Sequence, residues 1–153
     1  MVQQGHFDLK QSVGFCNAIR RTLVSDLANE APCRVTIRTN TTCQTDEYLA
    51  HRVGMIPFRR VGNGDTMTLT VRDRPAISSD FVGPAFEACE EVELMRMQPG
   101  QCLDMTVHFD RHAGSKHARY SMVAAVGMHK VKQGVYRISF ETKSRSPWRA
   151  LMM

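Results

Sequence analysis

The densest chemistry in the sequence lies in DEYLAHRVGMIP, Asp46 to Pro57, where Asp46, Glu47, His51 and Arg52 fall within seven positions. A carboxylate and an imidazole four residues apart share one helix face. Glu47 and His51 are therefore candidates for acid/base work or for half of a metal site. Neither reading is completed by the rest of the chain. Zinc peptidases place two histidines four apart with a Glu beside the first, and here there is one. His6, His108, His112, His117 and His129 show no ligand spacing, and no second catalytic group is placed to assist. The plainer reading is a surface ion pair worth about 0.2–0.5 kcal/mol.

Other chemistries fail on spacing. Cys16, Cys33, Cys43, Cys89 and Cys102 are odd in number and form no CxxC pair, so neither a zinc knuckle nor a disulfide framework is supported. No GxSxG nucleophile motif occurs. GNGD (Gly62 to Asp65) and HAGSKHAR (His112 to Arg119) contain glycine but match no phosphate-binding loop. The second is a basic loop able to hold an anion in its backbone amides. Arg20 and Arg21 point about 100° apart on a helix, and either can fork onto a carboxylate or a carbonyl of another protein.

The elements that position these residues follow from periodicity. Cys16, Ile19, Leu23 and Leu27 recur at helical spacing, with Phe15 and Val24 widening the stripe. This predicts a helix over Ser12 to Leu27, capped by Ser12 and ended by Pro32. Asn17, Arg21 and Ser25 form a separate polar edge. Cys33 to Thr39 alternates as a half-buried strand. Thr45 caps the helix containing Glu47 and His51, and two acids in its first turn suit the helix dipole. Strands are predicted at Met67 to Val71, Val92 to Met97, Leu103 to Phe109, Tyr120 to Val126 (more buried) and Tyr136 to Phe140. Arg72 to Cys89 reads as an irregular connection, and SPWRALMM as a helix start with Pro147 at its first position. Strands outnumber helices and do not alternate as βαβ units, so the expected class is α+β with mostly antiparallel strands.

Composition is that of a globular chain, with 42% hydrophobic and 23% charged residues. The formal charge of +5 permits contact with nucleic acid without requiring it. No apolar run approaches the ~20 residues that cross a bilayer, and MVQQGHFDLK lacks a signal-peptide pattern. An intracellular protein with no membrane partner is expected.

Three strings are more specific. FCNAIRRTLVSDL (Phe15 to Leu27) resembles the "NALRR" helix of the alpha-like subunits of multisubunit RNA polymerases. VTIRTNTTCQTDEYLAHRVGMIP (Val35 to Pro57) resembles the matching region of the third-largest subunit of eukaryotic RNA polymerase II and of its archaeal counterpart. LMRMQPGQCLDMTVHFDRHAGSKHARYSMVAAV (Leu94 to Val126) is similar to the family's PGQ and HA-containing stretch. The three occur in the family's order and together hold 69 of the 153 residues.

The resemblance implies a discontinuous dimerisation domain, residues 1–33 and 128–153, around a mostly antiparallel β insertion domain, residues 34–127. It implies a subunit that does no chemistry and carries no cofactor. Such a subunit pairs with a smaller alpha-like subunit, and the pair docks the second-largest, catalytic subunit beside small assembly subunits. DNA would be met only through the complex. The interface residues carried over are Phe15, Asn17, Ile19, Arg20, Arg21 and Leu23 on the first helix, Glu47, His51 and Arg52 on the second, and Trp148. Location would be the nucleus, or a virion or viral factory for a viral form.

The chain departs from the family in three places. Phe58 to Met95 carries only Cys89 where cellular eukaryotic forms often hold a zinc cluster, so no metal is expected. Only GHFDLK remains of the strand before the first helix. The sequence stops at Met153, where the family's long dimer helix would begin. A compact form of this kind points to a viral polymerase or a much reduced cellular one. The alternative reading is a stand-alone basic nucleic-acid-binding protein.

Overall fold

The computed structural model describes residues 3–142. They divide into two compact units, residues 3–29 with 112–142, and residues 30–111. The strand beginning at Val123 pairs wholly within the first unit.

In the first unit, β1 (Gln3–Leu9), α1 (Val13–Ser25), β9 (Val123–Lys132) and β10 (Val135–Thr142) make a three-stranded antiparallel sheet and one helix. The strand order is β1-β10-β9. β1 is a full seven-residue strand and not a remnant, in register with β10 from Gln3↔Thr142 to Leu9↔Tyr136. Its sequence hides it, because only Phe7 and Leu9 alternate as apolar residues and its partner lies at the far end of the chain. Leu23, Val123, Ile138 and Phe140 form the core, with Phe7, Leu9, Ile19, Leu27 and Met128 packed against it. On the other face Arg137 grips Asp8 through two hydrogen bonds of 2.7 and 2.8 Å. Gly134 turns the chain between β9 and β10 at φ +72°, a conformation that costs glycine little.

The second unit holds α2 (Asp46–Met55) and the strands β2 (Ala28–Asn40), β3 (Phe58–Arg60), β4 (Thr66–Arg72), β5 (Ala76–Ile77), β6 (Phe86–Ala88), β7 (Glu93–Met95) and β8 (Cys102–Ala113). Its main sheet runs β2-β8-β4, with β3-β6 and β5-β7 as small ladders. Met67, Leu69 and Val71 face Val107, Met105 and Leu103 across the β4–β8 ladder, and all six are buried. Phe86 stacks on Phe109 at 3.8 Å, and Phe58 meets the edges of both Phe81 and Phe109.

The α+β class with mostly antiparallel strands stands, and several element bounds move. α1 ends at Ser25, with Asp26 at its C-cap, so Pro32 does not end it. Pro32 lies inside β2, an edge strand, where a missing N–H is tolerated. Tyr120 belongs to a 3-10 turn (Ala118–Tyr120), and β9 starts three residues later with mostly exposed positions. The connection Arg72 to Cys89 holds β5, β6 and a 3-10 turn (Ser78–Asp80). Their periodicity is too short to show in the sequence. The helix start at Ser146 and Pro147 lies outside the described residues.

Three carboxyls are held below the ordinary range by hydrogen bonds from arginines: Asp8 by Arg137, Asp80 by Arg74 and Asp104 by Arg38. A carboxyl with a lowered folded pKa stabilises the fold above its unfolded pKa of about 3.9, and that contribution fades as pH falls through the lower folded value. Asp80→Asn is therefore expected to lower the thermal midpoint most at pH 6–7. The gap to wild type should shrink progressively below about pH 4. Melting curves from pH 7 to pH 2.5 check this, and a gap that stays constant would refute it.

Candidate partner interface

Helix α1 begins where the Ser12 hydroxyl accepts a hydrogen bond from the Phe15 amide, filling one of the unpaired N–H positions of the first turn. Its inner side is Cys16 and Leu23, both buried, with Ile19 packed beside them on the sheet core. At 100° per residue, Gly14, Ala18, Arg21 and Ser25 fall on the opposite side. All but Ser25, which is half-exposed, are exposed. Phe15 flanks this outer strip on one edge, and Val13 and Val24 on the other.

Phe15 is 51% exposed, Val13 54% and Val24 42%. Phe15 and Val24 therefore do not widen the buried stripe, because Cys16, Ile19 and Leu23 already cover the sheet. Three apolar side chains left in solvent around a strip of small residues make a face that a second helix can approach closely. Arg21 stands in that strip, and its guanidinium makes no hydrogen bond among the described residues. Arg20 instead donates to the Asn17 side chain at 3.0 Å, which fixes both on the flank. Of the six interface residues expected on this helix, Phe15 and Arg21 reach the outer side, and Asn17 and Arg20 lie half-buried on the flank. Ile19 and Leu23 serve the unit's own core.

The far end of α1 is tied down by the basic loop. The Ser115 amide donates to the Ser25 carbonyl at 2.9 Å. A Cβ on Gly114 would stand 2.4 Å from the Val24 carbonyl oxygen, so only glycine permits the approach. The last turn of α1 has no basic residue of its own. Lys116 is the next residue of that loop. Lys116 also meets the His112 ring nitrogen and lies 5.9 Å from the centre of the Tyr120 ring.

Helix α2 answers the question of Glu47 and His51. Thr45 caps it by accepting from the Tyr48 amide, and Leu49 and Val53 bury its inner side. Glu47 and His51 are both exposed, and no hydrogen bond or ion pair joins them. Arg52 is occupied within the unit: it donates to the Glu93 carbonyl at 2.7 Å and to the Tyr48 hydroxyl at 3.3 Å. It fastens α2 to β7. Between them lies a cleft of 260 Å³ lined by His51, Met55, Pro57, Val92 and Leu94. Tyr48 and Met55, 44% and 40% exposed, add apolar surface to the same helix. Nothing in the sequence alone marks Met55 as exposed, since it sits at a helix end where the periodicity runs out. Trp148 lies outside the described residues.

Arg60 is a structural centre that the spacing of motifs did not reveal. It donates to Glu30 at 2.7 Å and Asp65 at 3.3 Å, reaches the carbonyls of Gly62 and Gly64, and lies 4.5 Å from the Phe86 ring centre. The signal was present as an arginine just before the glycine turn GNGD.

No family model matches the sequence. Curated proteins do. The DNA-directed RNA polymerase subunit Rpo3 of Methanocaldococcus jannaschii is 30% identical over 126 residues, which are 78% of this chain and 66% of that protein. The DNA-directed RNA polymerases I and III subunit rpac1 of Dictyostelium discoideum is 24% identical over 70% of this chain and 43% of its own length. A second Rpo3, from Natronomonas pharaonis, is 25% identical over 78% of this chain and 52% of its own length. The chain thus spans between 43% and 66% of these relatives. All three come from cellular organisms and lend no support to the viral reading.

The division of labour between two neighbouring residues on α2 is testable. Arg52→Ala is expected to cost about 1–2 kcal/mol, since it strips a charged donor from the Glu93 carbonyl. His51→Ala should stay within about 0.5 kcal/mol of wild type, as an exposed residue without a partner does. Urea titration of both variants checks this, and equal losses would show that Arg52 is not the anchor.

Proposed function

Because this chain belongs to the alpha-like subunits of DNA-directed RNA polymerase, we propose that it acts as a non-catalytic assembly subunit within that enzyme. Residues 1–33 and 128–153 would form the dimerisation domain and residues 34–127 the insertion domain. The dimerisation domain would pair with a smaller alpha-like subunit. The pair would then receive the second-largest, catalytic subunit, with small assembly subunits alongside. The protein would work inside the cell where the template is, which in a eukaryote is the nucleus.

The observation that carries this reading is the outer side of α1. A helix whose inner side is fully used by its own sheet still exposes Phe15, Val13 and Val24 around a strip of small residues. Aromatic residues and arginine are the types enriched where proteins meet. Phe15 supplies an apolar anchor, and Arg21 an uncommitted guanidinium able to fork onto a carboxylate. Asn17 and Arg20, already bonded to each other, would hold the flank. Glu47 and His51 would meet protein rather than substrate, because they form no joint acid/base geometry. Arg52 would contribute by holding α2 in place, and Trp148 would belong to the same dimer contact.

Arg21→Glu is expected to leave the fold and thermal midpoint unchanged and to cut recovery of the second-largest polymerase subunit at least about tenfold, as the loss of a charge-paired interface arginine does. The measurement is a tagged pulldown from the native source with quantitative mass spectrometry. Unchanged recovery would remove the role given to Arg21. Recovery of the wild-type chain alone, from an extract with intact polymerase, would overturn the assembly reading.

A further inference from the structure

The net charge of +5 is not spread over the molecule. From Arg111 to Phe140 the sequence holds no Asp or Glu, while it carries six Lys and Arg and three His. Within the described residues, the first unit has eight Lys and Arg against three acids, and the second has nine arginines against twelve acids. The excess of positive charge therefore belongs to the first unit.

The two units also use their cations differently. In the second, Arg38, Arg59, Arg60, Arg74 and Arg96 are held in ion pairs with Asp104, Glu87, Glu30, Asp80 and Glu93. They are committed to the fold. In the first unit Arg137 is paired with Asp8. Its other acids are engaged too: Glu141 accepts from Gln4, and Asp26 from Ser25. Lys10, Lys130 and Lys132 remain exposed with no carboxylate beside them among the described residues. All four lysines among the described residues lie in this unit.

The placement is ordered. β9 starts beside the loop that holds Lys116 and Arg119, and its other end carries His129, Lys130 and Lys132. Ten strand residues at about 3.3 Å each give β9 a length of about 30 Å. At the distal end the register sets Tyr136 opposite Lys130, and Leu9, one residue before Lys10, opposite Tyr136. The basic groups thus mark both ends of one edge strand.

We propose that the β9 edge of the first unit is a contact surface for the phosphate backbone of nucleic acid, independent of base sequence. Residue type favours phosphate over an acidic protein. Lysine is depleted where proteins meet, whereas arginine is enriched. A compact ammonium on a flexible stem suits a phosphate oxygen as a point charge, without the fixed geometry that a protein interface rewards. The surface has no exposed aromatic platform in its loop, since Tyr120 is buried, so stacking on bases is not part of it. The proposal does not rest on the assembly role.

The test is fluorescence anisotropy of the full chain with a labelled 25-base-pair duplex of random sequence, from 50 to 200 mM salt. Binding is expected at low salt, with log affinity falling linearly against log salt by about 0.9 for each phosphate neutralised. Lys130→Glu with Lys132→Glu should weaken binding at least about tenfold and reduce the slope by about 2. Arg34→Glu, an exposed arginine of the second unit, serves as the charge control and should leave binding within about twofold, because only contacting cations enter the salt slope. Circular dichroism and thermal melting confirm that each variant is folded. No binding at 50 mM salt, equal losses in the double variant and the control, or polyglutamate competing as well as DNA at equal charge would each overturn the proposal. The last outcome would reassign the surface to an acidic protein.

Discussion

The first unit exists because one end of the described chain pairs with the other. Gln3 faces Thr142 and Leu9 faces Tyr136, so β10 is the central strand between β1 and β9. Without β1, the core residues Ile138 and Phe140 lose Phe7 and Leu9 from one flank. Closing a loop of this length costs about 4 kcal/mol of chain entropy if the intervening residues are unfolded. The second unit reduces that cost from within. Its outgoing strand β2 and its returning strand β8 are neighbours in one sheet, with the Cys33 thiol 3.3 Å from the His108 carbonyl oxygen. Once β2 and β8 pair, the chain segments that enter and leave the second unit are already together.

That arrangement assigns different work to the arginines of the second unit. Arg60 gathers Glu30 at one point of entry, the carbonyls of the Gly62–Gly64 turn, Asp65 and the face of Phe86. Phe86 in turn stacks on Phe109 of β8. A single guanidinium with five donors can hold such a fork, where lysine could not. Each exposed ion pair contributes little by itself. Their combined effect is to fix a unit whose short strands β3, β5, β6 and β7 could not persist by pairing alone.

The strongly periodic parts of this fold were legible in the sequence. Thr45 as a cap and the alternation of β4 and β8 follow from spacing, and the structure has them. β1 was not legible, since its register is set by a strand more than a hundred residues away. Nor were β5 and β6, which are two and three residues long and depend on neighbours for their hydrogen bonds. Phe15 and Val24 were misread for a general reason. Hydrophobicity predicts which residues prefer burial, and the number of places beneath a helix decides which obtain it. Three residues filled the sheet-facing side of α1, and the others were left outside. Arg52 illustrates the converse limit. Its type suited an interface, and only the position of the Glu93 carbonyl shows that it is spent inside the unit.

The same accounting explains why charge sorts between the units. A fold stitched by side-chain forks needs an acid near each cation, and the second unit has twelve acids for nine arginines. The first unit is held by a continuous antiparallel sheet and one helix packed on it, with the Asp8–Arg137 pair as an exposed clasp. Its stability makes little demand on the remaining cations. Unpaired positive charge on a small surface carries a cost from self-repulsion, and a fold that gains nothing from those lysines would be expected to hold them for an interaction outside itself. Their position along β9 follows from that separation. An edge strand offers unpaired backbone donors and acceptors to any other strand, and lysines along it are a known deterrent to such pairing. The lysines of β9 therefore protect the open edge and at the same time leave it suited to a partner whose contacts come from charge rather than from strand pairing.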